Sequence, residues 1–272
     1  MALSLLLALS GCQAEDDTPH TPQGTIPVGF SGDVPGTRAT KEYESAADLT
    51  DMGVFAYFTN GTFSEGSSTS NFMYNQQVER QTSDGSWTYS PVKYWPGNRT
   101  DKISFFAYAP YVDEAATGGS NPAFQGKTAA GFPKLTYTVP TAEADQTDLL
   151  AAVPLMNRTA PTIDGEKVKF NLKHALTKVN VGIKSEVGIT VTALSVNSIP
   201  ATATLTFTDS GFDWGSYTGT QNVNATLATG GVAVTANAAD AQSLATFFVL
   251  PQKASATLSI TYTQDGTPSM QF

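Results

Sequence analysis

Apolar and polar residues alternate with a period of two along most of the chain beyond residue 25. The alternation runs through Ile26-Pro27-Val28-Gly29-Phe30, Leu135-Thr136-Tyr137-Thr138-Val139 and Val179-Asn180-Val181-Gly182-Ile183. It returns in Leu205-Thr206-Phe207 and in Leu258-Ser259-Ile260-Thr261-Tyr262. A strand turns successive side chains to opposite faces, so this pattern predicts half-buried β-strands. The abundance of Thr, Val and aromatic residues fits the same reading. The 23 glycines and 15 prolines break these runs at short intervals, as the turns of a sandwich require. Helical spacing is confined to 46–49 and 236–245, each predicted as a short helix. The fold class expected is all-β, built of antiparallel β-sandwiches.

A polar run, Asn157-Arg158-Thr159-Ala160-Pro161-Thr162, precedes a fresh strand at Val168-Lys169-Phe170-Asn171-Leu172. It predicts an N-terminal domain over 25–164 and a C-terminal domain over 165–272. The first residues read differently. Positions 2–10, ALSLLLALS, are an apolar run too short for the ~20 residues that span a bilayer. They form the core of an export signal over 1–11. Lys or Arg normally precedes such a core and none does here, so a true start upstream of Met1 is expected. Leu9-Ser10-Gly11-Cys12 has the small residues before cysteine of a bacterial lipobox, and Cys12 is the only cysteine in the chain. Cys12 is therefore the expected lipidation site, and multiple acyl chains would anchor the protein stably to the outer membrane. Residues 12–24, acidic and then rich in Thr and Pro, read as a tether, and the acidic residues after Cys12 favour display on the cell surface.

Composition narrows the chemistry. Fifteen basic against 24 acidic residues give a net charge of −9, which leaves no basic grip for nucleic acid. One cysteine excludes an internal disulfide framework and a multi-cysteine zinc site. No metal, cofactor or catalytic residue is assigned, and the chain is not expected to be an enzyme. His174 lacks a nucleophile elbow around it and reads as a strand histidine held by a local hydrogen bond. Asp113-Glu114 and Asp145-Gln146-Thr147-Asp148 lack the spaced oxygen ligands of a calcium loop. The aromatic cluster Trp87 to Trp95, followed by Ile103-Ser104-Phe105-Phe106-Ala107-Tyr108-Ala109-Pro110-Tyr111, has two readings. It is either a hairpin whose alternate rings fill the core or an exposed platform for sugar rings, and the first is favoured because such rings bury large areas.

Gly36-Thr37-Arg38-Ala39-Thr40 makes an exposed turn after the first strand. Arg38 is either an incidental surface arginine or the point where a trypsin-like protease cuts Arg38–Ala39. A cut there would sever the tether together with the strand carrying Ile26, Val28 and Phe30. A sandwich that loses a strand exposes unpaired backbone and a row of empty pockets. A strand of another subunit can fill them by β-augmentation.

Taken together, several segments resemble the fimbrillin (type V pilin) family. They are the lipobox cysteine, Thr37-Arg38-Ala39-Thr40, Gly53-Val54-Phe55-Ala56-Tyr57 and Trp87…Tyr94-Trp95-Pro96. The run Ile103 to Pro110, Asp148-Leu149-Leu150-Ala151-Ala152, Phe170…His174-Ala175-Leu176…Lys178-Val179 and Phe248-Val249-Leu250-Pro251-Gln252 complete the match. The resemblance implies two tandem transthyretin-like domains in a lipoprotein precursor exported to the outer membrane. It implies lipidation at Cys12, arginine-specific cleavage at Arg38–Ala39 that removes a pro-strand within 25–38, and assembly by strand exchange for adhesion. The partners implied are other fimbrial subunits, an arginine-specific maturation protease, and receptors on host or bacterial surfaces. Positions 266–272 read as a poor donor strand. The alternative expectation is a monomeric surface lipoprotein that binds glycans through its aromatics.

Overall fold

The computed structural model describes residues 23–34, 45, 47–115, 119–163, 165–251, 255–264 and 267–271. The first strands are β1 (Gln23–Pro27), β2 (Gly29–Asp33), β3 (Asp51–Asn60), β4 (Met73–Arg80), β5 (Trp87–Thr88), β6 (Tyr94–Pro96) and β7 (Asp101–Ala109). Then come β8 (Ala123–Phe124), β9 (Lys134–Thr138), β10 (Leu150–Ala152), β11 (Leu155–Arg158), β12 (Lys167–His174) and β13 (Thr177–Ile183). The last are β14 (Ile189–Phe207), β15 (Phe212–Asn224), β16 (Val232–Val234), β17 (Gln242–Val249), β18 (Thr257–Gln264) and β19 (Thr267–Gln271). Among the described residues the one helical element is a 3-10 turn at Glu143–Asp145.

Two large sheets organise these strands. The first runs in the order β2-β12-β10-β7-β3-β4-β5, with β11 also on β7. It curls until its end strands β2 and β5 meet, and a Cβ placed on Gly32 would lie 3.5 Å from Trp87 of β5. The second runs β19-β18-β14-β9-β8, with β15 and β16 on the other edge of β14. β13 and β17 form a separate antiparallel pair, as do β1 and β6.

The central strands β3 and β7 are apolar on both faces and fully paired over Gly53↔Tyr108 to Asn60↔Asp101. Their alternation splits the side chains between two cores. Val54, Ala56, Phe105 and Ala107 enter an inner core enclosed by the curled sheet, with Leu49, Trp95, Phe170 and Leu172. Phe55, Tyr57, Phe106 and Tyr108 enter an outer core shared with Leu135, Tyr137, Phe207, Phe247 and Phe248. Continuous apolar runs on strands buried on both sides are the expected sequence of such a layer.

The architecture is all-β, as the alternation predicted, with four differences. The stretch 236–245 forms no helix: Gln242 to Ala245 begin β17, where ladder pairing with β13 and the burial of Ala245 outweigh alanine's helix preference. Positions 47–49 form a turn pinned by Asp48, whose carboxylate accepts from the Ser45 amide and hydroxyl at 2.9 Å, and Leu49 fills the inner core. The aromatic cluster 87–95 forms no hairpin with β7. β5 pairs with β4 and β6 with β1, although the rings turn inward as expected. Finally, β2 runs parallel to β12, whereas the other pairings between the described strands are antiparallel.

Sheet membership also crosses residue 164. β12 lies in the first sheet between β2 and β10, and β8 and β9, from the first half of the chain, pair in the second sheet. β14 makes this joint: at 19 residues it is long enough to pair with β18 along one part of an edge and with β9 along another.

Candidate functional site at the first strand

β1 and β2 are the region where the sequence placed removable residues. Residues 26 to 34 keep a strict alternation: Val28, Phe30 and Val34 are buried in the inner core, and Ile26 packs on its rim. Phe30 is the deepest. Its ring stacks on Phe170 at 5.9 Å, meets Phe105 edge-on at 6.0 Å and leans on Tyr89 at 5.2 Å. Aromatic rings at such separations add to the gain from burial alone.

The backbone is held as firmly as the side chains. β2 pairs with β12 from Lys167↔Gly29 to Asn171↔Asp33. Between β1 and β2, the Val28 amide donates to the Lys93 carbonyl at 2.9 Å. The Tyr89 hydroxyl donates to the Val28 carbonyl at 2.8 Å, and the Lys93 amide donates back to that hydroxyl at 3.2 Å. Burial of the Tyr89 phenol pushes its pKa above the ordinary tyrosine value, so it stays a donor here. Outside, Asp33 and Lys169 form an exposed ion pair at 3.8 Å, which contributes little.

One position in this segment has no room for a side chain, and a second is tight. A Cβ on Gly24 would lie 2.6 Å from the Trp95 carbonyl, so β1 approaches β6 closely only because residue 24 is glycine. A Cβ on Gly32 would lie 3.1 Å from Leu49 Cδ2 and 3.5 Å from Leu172 Cδ1. Along the segment the wall therefore offers a deep place at Phe30 and a shallow one at Gly32.

Of the residues proposed from sequence, Ile26, Val28 and Phe30 come together on one wall. Cys12, Arg38 and Ala39 lie outside the described residues, as do the signal and nearly all of the tether. Val34, one alternation further on, extends the buried row and was readable from the same period. The groove walls, Leu49, Tyr89, Phe105 and the β12 pair Phe170 and Leu172, come from four separate stretches, and no local pattern links those stretches.

The other candidate chemistries resolve structurally. Trp95 is buried and packs against Phe105 at 5.5 Å, and Trp87 and Tyr89 pack on the inner core. The cluster thus fills a core, and Tyr94 is the one of its rings that is broadly exposed. His174 Nδ1 lies 2.6 Å from Asp148 Oδ2, a partner 26 positions away in sequence and buried beside β10. Gln146 ties the same loop to the second half: it accepts from the Phe248 amide at 2.8 Å and donates to the Pro140 carbonyl at 3.0 Å. Among the described residues no group of three or more His, Cys, Asp or Glu is placed to hold a metal ion.

Residues 37–271 match the sequence model of the family described as fimbrillin-like. The chain belongs to the fimbrillin-like family. It is 32% identical over 194 residues to the fimbrium subunit Fim1C of Phocaeicola vulgatus, an alignment covering 67% of this chain and 50% of that protein. The chain thus spans about half the length of that curated relative. Its fold is similar to the crystal structure of a fimbrial protein from Bacteroides vulgatus ATCC 8482, with a TM-score of 0.68 and 23% identity, over 91% of this chain and 87% of the other. The family is one of structural fimbrial proteins. The β-sandwich layering described above is the fold shared with that solved structure.

Proposed function

We propose that this fimbrillin-like chain is a structural subunit of a surface fimbria, its anchor and tip components included, serving adhesion. It is exported as a lipoprotein acylated at Cys12 and matured by cleavage of Arg38–Ala39. It then assembles by accepting a strand of another subunit where β1 and β2 had been. The observation that carries this reading is the way residues 26–34 are bound. Their strand β2 forms the end of the first sheet, they lie on the N-terminal side of Arg38, and their core contacts fall in the inner core. A cut after residue 38 therefore frees a segment whose loss takes Val28, Phe30 and Val34 out of the inner core, opening one wall of it, and leaves the outer core's residues in place. The partners are other fimbrial subunits, an arginine-specific protease, the outer membrane through the lipid, and surface receptors. The two-domain division at 164–165 belongs to this proposal, with β8, β9 and β12 exchanged across the joint.

The test is limited cleavage of the chain lacking residues up to Cys12 with an arginine-specific protease, followed by intact mass and size-exclusion chromatography. The expected outcome is one cut after Arg38, loss of the segment up to that residue, and oligomers. A chain that resists cutting there, or that stays an inert monomer once cut, would overturn the reading.

A further inference from the structure

We propose that the groove reads its incoming strand by size, requiring an aromatic residue followed two positions later by glycine or alanine. The inference rests on the strand-acceptor reading above and deepens it, by naming the sequence class of the partner strand. Its basis is the contrast between two neighbouring places on one wall. At Phe30 the wall is open and aromatic, with Phe105, Phe170 and Tyr89 grouped around a full ring. At Gly32 it closes: Leu49 Cδ2 stands 3.1 Å from where a Cβ would be, with Leu172 Cδ1 and Trp87 Cζ2 both at 3.5 Å.

Leu49 and Leu172 are fully buried members of the inner core, so neither can swing into solvent to make room. A methyl group needs only a small displacement of the Leu49 tip, whereas a branched side chain has to push two packed leucines and an indole aside. Overpacking of that kind is strongly disfavoured in a dense core. The two places lie two residues apart on one strand face, so together they also fix register: a slip of one residue turns the donor's apolar side chains outward. A slip of two sets its aromatic ring on the closed place.

They fix direction as well. A strand lying parallel to β12, as β2 does, meets the open place before the closed one. Its sequence reads aromatic, any residue, small, from N- to C-terminus. A strand inserted antiparallel would need the reverse order. Donors are thus strands of other subunits with a pattern like Val28-x-Phe30-x-Gly32-x-Val34, and apolar strands with a branched residue at the third inward position are rejected.

The experiment uses the whole chain with a sequence-specific protease site placed within 35–40, so that the nick does not depend on recognition of Arg38. A fluorescent peptide of residues 24–36 is offered to the nicked chain and its uptake followed by anisotropy, in competition with unlabelled variants. The Gly32→Ala peptide competes within about threefold of the parent, and Gly32→Leu is about tenfold or more weaker. A peptide with Phe30→Gly and Gly32→Phe together has the parent's composition and also falls by about tenfold or more, which separates order from hydrophobicity. In a Leu49→Ala chain the Gly32→Leu peptide regains most of its loss. Should that chain fail to fold, the peptide series on the parent chain still decides. If the parent peptide enters and Gly32→Leu or the exchanged peptide competes equally well, the size rule is overturned while the acceptor groove stands. If no peptide enters the nicked chain, the acceptor reading itself fails and takes the rule with it.

Discussion

Along β7, Phe105 and Ala107 point into the curled first sheet, while Phe106 and Tyr108 point across to the second. The two cores are therefore built on the same backbone, one residue apart, yet they are held by chain segments of different kinds. The outer core draws on β3, β7, β9, β14 and β17, strands spread over both halves of the chain and enclosed on several sides. The inner core is closed on one side by β1 and β2, a single segment, β2 ending the first sheet and β1 pairing with β6 beside it. Hydrophobic burial is similar in kind on both faces. What differs is whether the residues that supply it can leave together. Under the strand exchange proposed above, this division lets the outer core stay folded while one strand is replaced.

The largest test of that division compares two phenylalanines. Phe106 packs against Tyr57, Phe63, Phe132 and Phe207 at 5.3 to 6.0 Å. Phe106→Ala is expected to cost about 3–5 kcal/mol in denaturant unfolding, before and after removal of the segment up to residue 38. Phe30→Ala should cost a similar amount in the intact chain and nothing after removal, because the residue has gone with its strand. Equal and persistent losses at both sites would show that the two faces are one cooperative core.

Gly53 gives a smaller test on the outer face. It pairs with Tyr108 across β3 and β7, and a Cβ there would stand 2.1 Å from Tyr108 Cε1, because the ring lies flat over the glycine. Gly53→Ala is expected to cost about 1–3 kcal/mol or more, and in a Tyr108→Ala background much less. Additive losses in a double-mutant cycle would mean that the ring is free to move and that the outer face is softer than its packing implies.

This contrast between the faces was partly legible in the sequence. The alternation Ile26, Val28, Phe30 gave the inward row of the first segment, and Val168, Phe170, Leu172 gave that of β12. All of these but Ile26 are buried, and Ile26 packs on the rim. The period of two says which face of a strand is buried but carries nothing about which strand lies beside it. For that reason β12 read as the opening of a second domain, although its free edge receives β2 and its other edge β10. The parallel direction of β2 was hidden for the same reason. The double-sided burial of β7 left a trace in the unbroken run from Phe105 to Ala109, but such a run also fits a one-sided aromatic hairpin. Shape at Gly32 was invisible, because the leucines that close it come from residues 49 and 172.

Alkaline pH should weigh more on the outer face, which holds three buried phenols against the single raised phenol of Tyr89 on the inner one. Burial pushes the phenols of Tyr57, Tyr108 and Tyr137 well above the ordinary value near 10, and all three belong to the outer core. Tyr74, packed on that core and donating to Glu114 at 2.9 Å, is pushed up to about 12, by burial first and by the carboxylate second. A folded-state pKa above the unfolded one means that the native state holds its proton longer. The resulting stability is fully present below pH ~10 and is lost as pH climbs from there toward the folded values. Urea melts should be flat in midpoint from pH 8 to 9.5 and fall steadily above 10, and Tyr137→Phe should make that fall shallower. A midpoint that drops equally with and without the buried phenols would place the alkaline weakness outside the outer core.

The smallest expected effect lies at the point where the first segment, β1 and β2, is fastened. Tyr89→Phe keeps the ring that leans on Phe30 and deletes only the hydroxyl that donates to Val28 and accepts from Lys93. One such hydrogen bond contributes about 0.5–1.5 kcal/mol net, and somewhat more where a buried carbonyl loses its donor. In the intact chain the midpoint should fall by that amount. In a chain nicked between residues 34 and 40 the same change should appear as faster release of the first segment, measured by anisotropy of a label on the segment. In a chain from which the segment has been removed, most of the penalty should vanish, since the Val28 carbonyl is no longer there to be left without its donor. A Tyr89→Phe penalty that persists undiminished without β1 and β2 would assign the hydroxyl to the 89–93 turn alone, and the retention of the first strand would then rest on Phe30 and its pocket.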